Sequence, residues 1–64
     1  MKIDKQKLEV AMANAVVGTK QLSDLTGIAP AMMTRIKNGN QEPRPVTVGK
    51  IAKALGVKVE DLVD

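Results

Sequence analysis

The chain contains no Cys, His, Phe, Trp or Tyr. Without Cys it has no disulfide framework, thiolate nucleophile or cysteine zinc site, and without His it has no Ser-His-Asp or Cys-His relay. A catalyst would have to run on carboxylates or lysines alone. No pair of its acidic residues has a context implying a shared site, and no nucleotide-binding glycine loop is present, so the sequence reads as a non-enzyme with no metal or cofactor. The missing aromatics remove the platforms on which single-stranded nucleic-acid binders stack unpaired bases. The apolar runs are short, as at Ala15-Val16-Val17, so no segment reads as a membrane span or secretory signal, and a cytoplasmic location is expected.

What is present is 64 residues, 44% of them hydrophobic, which is enough for one small domain, and residues 1–64 are expected to form a single unit. Ten Lys and Arg against seven Asp and Glu give a formal +3, a mild basic bias compatible with a polyanionic partner. The charge is unevenly distributed. Thr19 to Lys53 holds six basic and two acidic residues, whereas Val57 to Asp64 holds one Lys against Glu60, Asp61 and Asp64.

The apolar spacing is helical almost throughout. Leu8, Ala11, Met12 and Ala15 predict a first helix capped by Asp4, with Val16 and Val17 turning in toward the core. Leu22, Leu25 and Thr26 predict a short second helix from Thr19 to Gly27. A third runs from about Ala31 to Lys37, with Pro30 suited to the first helical position and Asn38-Gly39-Asn40 ending it. Gln41-Glu42-Pro43-Arg44-Pro45 is a loop by composition. Val48, Ile51, Ala52 and Leu55 mark a fourth helix, opened by Pro45 and closed by Gly56, whose interior Gly49 signals either close packing or mere tolerance. Val59 to Val63 is a final helical turn or two, and strand signals are nearly absent.

Thr19 to Asn38 is the informative stretch. Two short helices joined by Gly27-Ile28-Ala29 must cross steeply with their backbones close. Such a crossing needs a small residue facing the partner, which Ser23 supplies, and a turn residue able to take positive φ, which Gly27 supplies; Ile28, Met33 and Ile36 provide the apolar contacts. With Lys50-Ile51-Ala52-Lys53-Ala54-Leu55-Gly56-Val57 and Glu60-Asp61-Leu62 behind it, this pattern resembles the Cro and phage-repressor (XRE-like) helix-turn-helix family over Leu8 to Leu62. The resemblance implies an all-α, compact five-helix, lambda-repressor-like DNA-binding domain with the helix-turn-helix at helices 2 and 3. It implies a transcriptional regulator of phage or mobile-element type, bound as a homodimer to a pseudo-palindromic double-stranded DNA operator and acting by occupancy.

On a helical wheel Met33 and Ile36 fall on one side of the third helix, and Ala31, Thr34, Arg35 and Asn38 fall within about 60° of the opposite direction. That outward face could lie in a major groove, with Arg35 bidentate to guanine, Thr34 donating or accepting, and Ala31 against a thymine methyl. Outside such a motif it would read as an ordinary solvated surface, and the motif turns the reading toward DNA. Pro30 and Met32 complete the base-reading candidates, Met32 being either a gap-filler or a contact. By resemblance, Thr19, Lys20 and Gln21 at the start of the second helix and Asn38, Asn40, Gln41 and Arg44 after the third are the phosphate contacts. Lys20 and Arg44 are otherwise plain surface charges, and Asn38-Gly39 also suits a left-handed helix end.

Several positions depart from the family pattern. Ala29-Pro30-Ala31 offers no side-chain cap or polar base reader where the family usually has both. An Arg in the first helix often pairs there with a Glu late in the third; Met12 and Lys37 stand in their places, which leaves Lys37 free to face phosphate. At the acidic end, Val59, Leu62 and Val63 are candidates for a dimer interface, with Val59 and Leu62 equally suited to closing the monomer core. The apolar start of the third helix also suits a different reading, a protein-interaction module such as an antitoxin or repressor-partner domain with little or no DNA binding.

Overall fold

The computed structural model describes residues 1–64, in which four α-helices are followed by one short turn of 3-10 helix. The helices are α1 (Lys5–Ala15), α2 (Thr19–Thr26), α3 (Pro30–Lys37) and α4 (Pro45–Leu55), and the 3-10 turn is Val59–Asp61. α2 packs on both α3 and α4, and α4 also meets α1 and the 3-10 turn. Twelve buried apolar residues form one core cluster, in which Leu8, Leu22, Met33, Val48, Ile51 and Leu62 are the most enclosed side chains. No helix is long and apolar enough to cross a membrane.

Local chemistry accounts for the helix ends. Asp4 Oδ1 accepts from the Lys7 amide at 3.0 Å, satisfying a donor that the first turn of α1 would otherwise leave free. That hydrogen bond, ahead of smaller contributions, holds the Asp4 carboxyl below its ordinary value. Ile3, immediately before the cap, and Leu8, four positions into the helix, are both buried, the arrangement of a hydrophobic staple. Pro30 and Pro45 each open a helix. Gly27, at φ +74°, closes α2 with its amide on the Ser23 carbonyl at 2.9 Å and turns the chain into α3.

The expected fifth helix is replaced by the three-residue 3-10 turn because the chain beyond it is paired elsewhere. The Asp4 amide donates to the Leu62 carbonyl at 2.8 Å, Ile3 and Val63 form an isolated antiparallel bridge, and the Lys7 ammonium reaches the Val63 carbonyl at 2.9 Å. A continuing helix would withdraw those backbone groups from residues 2–4. Asp61 caps the turn by accepting from the Lys58 amide.

One further expectation is corrected, and the places of Leu25 and Leu62 are decided. Val16 does not turn inward: it is 84% exposed at φ +55°, serving as the left-handed end of α1, and only Val17 returns to pack against the core. Leu25 is 61% exposed, so α2 is held by Leu22 and Ser23 instead. Leu62 is wholly enclosed, so it belongs to the monomer's core and has no surface to offer a second subunit. At Gly49 a Cβ would meet nothing within 4 Å, which leaves tolerance as the reason for that glycine.

Candidate nucleic-acid interface

The α2–α3 unit projects one side of α3 outward. Met33 and Ile36 are buried, Ala31, Thr34, Arg35 and Asn38 are exposed, and Met32 and Lys37 lie at intermediate depth on the flanks. This division follows the helical wheel residue for residue, because two apolar side chains three apart are enough to fix which face an eight-residue helix buries. Met32 packs against the core cluster, so most of its thioether serves packing. Pro30 is exposed at the first position of α3, and Ala29 before it provides no side-chain cap.

The hydrogen bonds on this face join residues that the sequence treats as separate. Arg35 Nε donates to Gln41 Oε1 at 3.1 Å, tying the longest side chain of the α3 face to the loop that follows. Lys37 is not free: its Nζ donates to Thr19 Oγ1 at 2.7 Å, spanning from the end of α3 to the start of α2. Met12, which stands where the family's Arg would be, is buried and uncharged, so the ion pair between these two places is absent. The Thr34 hydroxyl donates back to the Pro30 carbonyl at 3.0 Å, so its lone pairs remain directed outward as acceptors. Nothing in the residue order signals the Lys37–Thr19 contact, which crosses eighteen positions. The Arg35–Gln41 contact has a partial signal in Asn38-Gly39, a turn tight enough to bring residues six apart together.

The expected phosphate contacts divide into two groups. Thr19, Lys20 and Gln21 form the first turn of α2, where free amides and the positive end of the helix dipole gather. Gln21 is partly committed there, since its Oε1 accepts from the Gly18 amide at 2.9 Å, leaving its NH2 group as the available donor. Asn38, Asn40, Gln41 and Arg44 follow α3 in the loop, with Gln41 half-exposed and the other three exposed. The Arg44 side chain gives no cap to α4 and extends from the loop. At the acidic end, Val59 and Val63 are half-buried beside the enclosed Leu62.

The sequence matches the model of the Cro/C1-type HTH DNA-binding domain over residues 7–64. It is 33% identical over 51 residues to an uncharacterized HTH-type transcriptional regulator, YvzC, of Bacillus subtilis, covering 80% of this chain and 66% of that protein. The chain therefore spans just under two thirds of that relative's length. Among solved structures, it superposes with a TM-score of 0.78 on an HTH_3 family transcriptional regulator from Vibrio cholerae at 24% identity, covering 89% of this chain and 32% of that one, a likeness of fold.

Proposed function

Because the chain belongs to the Cro/C1-type helix-turn-helix DNA-binding domain family, we propose that it is a sequence-specific transcriptional regulator that reads duplex DNA through the outward face of α3. The observation that carries this reading is the α3 face itself: Ala31, Thr34 and Arg35 exposed in a row while Met33 and Ile36 are buried. Arg35 supplies the bidentate donor suited to guanine, Thr34 an acceptor suited to an amino group of adenine or cytosine, and Ala31 and Pro30 apolar contacts suited to a thymine methyl. Met32 adds what its exposed part can reach. The first turn of α2, with Thr19, Lys20, Gln21 and the tethered Lys37, grips phosphate on one flank; Asn38, Asn40 and Arg44 grip it on the other.

The regulator acts as a homodimer on a pseudo-palindromic operator, by occupancy. Half-sites one helical turn apart place successive recognition helices about 34 Å apart, so each must lie about 17 Å from the two-fold axis. A molecule measuring 23 × 22 × 19 Å fits that spacing when the axis passes along the side away from α3. The acidic end, with Val59 and Val63 half-buried and Glu60, Asp61 and Asp64 repelled by phosphate, is the surface suited to that side.

Selection of bound duplexes from a random pool, followed by sedimentation of the complex, tests the proposal. A two-fold symmetric consensus bound by two protomers is the expected result. Failure to enrich any duplex, with the folded protein retaining a protein partner instead, would favour the interaction-module reading suggested by the apolar Ala29-Pro30-Ala31 surface.

A further inference from the structure

Arg35 is held at both ends by consecutive residues of the loop after α3. Its carbonyl accepts from the Asn40 amide at 2.9 Å, and its Nε donates to Gln41 Oε1 at 3.1 Å. The turn that makes this possible passes through Gly39, whose φ of +77° reverses the chain immediately after the helix. The two contacts therefore share one cause: a left-handed glycine that folds the loop back over the last turn of α3. A free arginine on an exposed helix face samples many rotamers, and fixing it on DNA costs conformational entropy. Here the hydrogen bond at Nε restricts those rotamers before DNA arrives.

The contact also selects which edge of the guanidinium is available. An arginine can meet guanine O6 and N7 either sideways, through Nε and one Nη, or end-on, through both Nη groups. With Nε engaged by the Gln41 amide oxygen, the paired donors that remain are Nη1 and Nη2. We propose that Gln41 is a positioning residue for base recognition: it pre-orders the Arg35 side chain and commits it to end-on reading of a guanine. This rests on the reading of Arg35 as a base contact, and it gives Gln41 a role different from the phosphate contact that its place in the loop suggests.

The test measures binding of the selected duplex and of variants carrying each base pair in turn, for the wild type, Arg35→Ala, Gln41→Ala, Gln41→Glu and the double alanine variant, at two salt concentrations. Thermal unfolding of each variant verifies that it is folded. Arg35→Ala identifies the base pair it reads by a loss of guanine preference there. Gln41→Ala is expected to lower discrimination at that same base pair by about three- to tenfold, with little change elsewhere or in the salt dependence. The double variant is expected to lose no more discrimination than Arg35→Ala alone, since residues acting as one unit are non-additive. Gln41→Glu, whose carboxylate still accepts from Nε, is expected to keep the discrimination while weakening binding to all duplexes through repulsion by phosphate.

In the free protein, the Arg35 Nε–H signal is expected to report an ordered side chain in the wild type and a mobile one in Gln41→Ala. If Arg35→Ala relaxes one base pair and Gln41→Ala leaves discrimination there intact, the positioning role is overturned while Arg35 remains a base reader. A uniform loss across all duplexes with a smaller salt slope would overturn it by making Gln41 a phosphate contact. No change in discrimination at any base pair for Arg35→Ala would remove the base-reading assignment, and this inference with it.

Discussion

Val16 is a β-branched residue at φ +55°, a conformation that glycine adopts freely and valine adopts under strain. Its side chain is 84% exposed, so replacing it removes no packing. Val16→Gly is expected to raise stability by about 1 kcal/mol, the relieved strain exceeding the entropy that glycine adds to the unfolded chain; urea denaturation of the two proteins measures the difference. Ser23 gives a second case. It is buried in α2, four residues before Gly27, with its hydroxyl oxygen unpartnered, so the site needs a small residue and gains nothing from the oxygen. Ser23→Ala is expected to stabilise by up to about 1 kcal/mol in the same assay. The sequence makes the size requirement at Ser23 legible, because the spacing to Gly27 defines a crossing. It cannot show that the hydroxyl is idle, which depends on what surrounds it in three dimensions. Arg35 and Lys37 teach the same lesson: the helical period assigns their faces, while their partners Gln41 and Thr19 depend on how the loop and α2 come to rest beside α3.

The elements were legible wherever a helix carries its own start and stop signals. Asp4, Pro30 and Pro45 mark beginnings, and Gly27 and Gly56 mark ends; the helices observed begin and end there. The segment after Gly56 lacks such signals, and pairing with residues 2–4 decides its form, which periodicity in one segment cannot express. Ile3 went unread for the same reason, although its position before the Asp4 cap and its spacing to Leu8 carry the signature of a staple. Two predictions belong at this scale. Gly49 lies inside α4 with open space where a Cβ would stand, so Gly49→Ala is expected to stabilise by about 0.5–1 kcal/mol, measured as a rise in Tm. The Asp4 carboxyl titrates below its unfolded value of 3.8 because it accepts from the Lys7 amide, so its contribution to stability is complete above that value and is lost as pH falls through the lower folded one. Asp4→Asn is expected to flatten the acid limb of the stability profile, where the pH falls below 3.8, as followed by chemical denaturation at a series of pH values.

At the scale of the whole molecule, the small formal charge of +3 conceals a separation of sign along the chain. Lys20, Arg35, Lys37 and Arg44 lie in α2, α3 and the loop that follows, Lys50 and Lys53 lie in α4, and the acidic residues of the tail are joined to an N-terminal segment whose Lys2, Lys5 and Lys7 partly offset them. The charge arithmetic made that separation legible; the covering of Leu62, which turns the tail from a free interface into a wall of the core, was visible only in the fold. A molecule that grips phosphate with the basic residues around α2 and α3 should show an affinity that carries the mark of displaced counterions. The most direct measurement is fluorescence anisotropy of the selected duplex and a scrambled duplex across a series of salt concentrations. A regulator that reads duplex DNA should bind both, with affinity falling linearly in log–log form with salt and the selected duplex held more tightly by at least about a thousandfold. Binding that is indifferent to salt, or equal for the two duplexes, would contradict it.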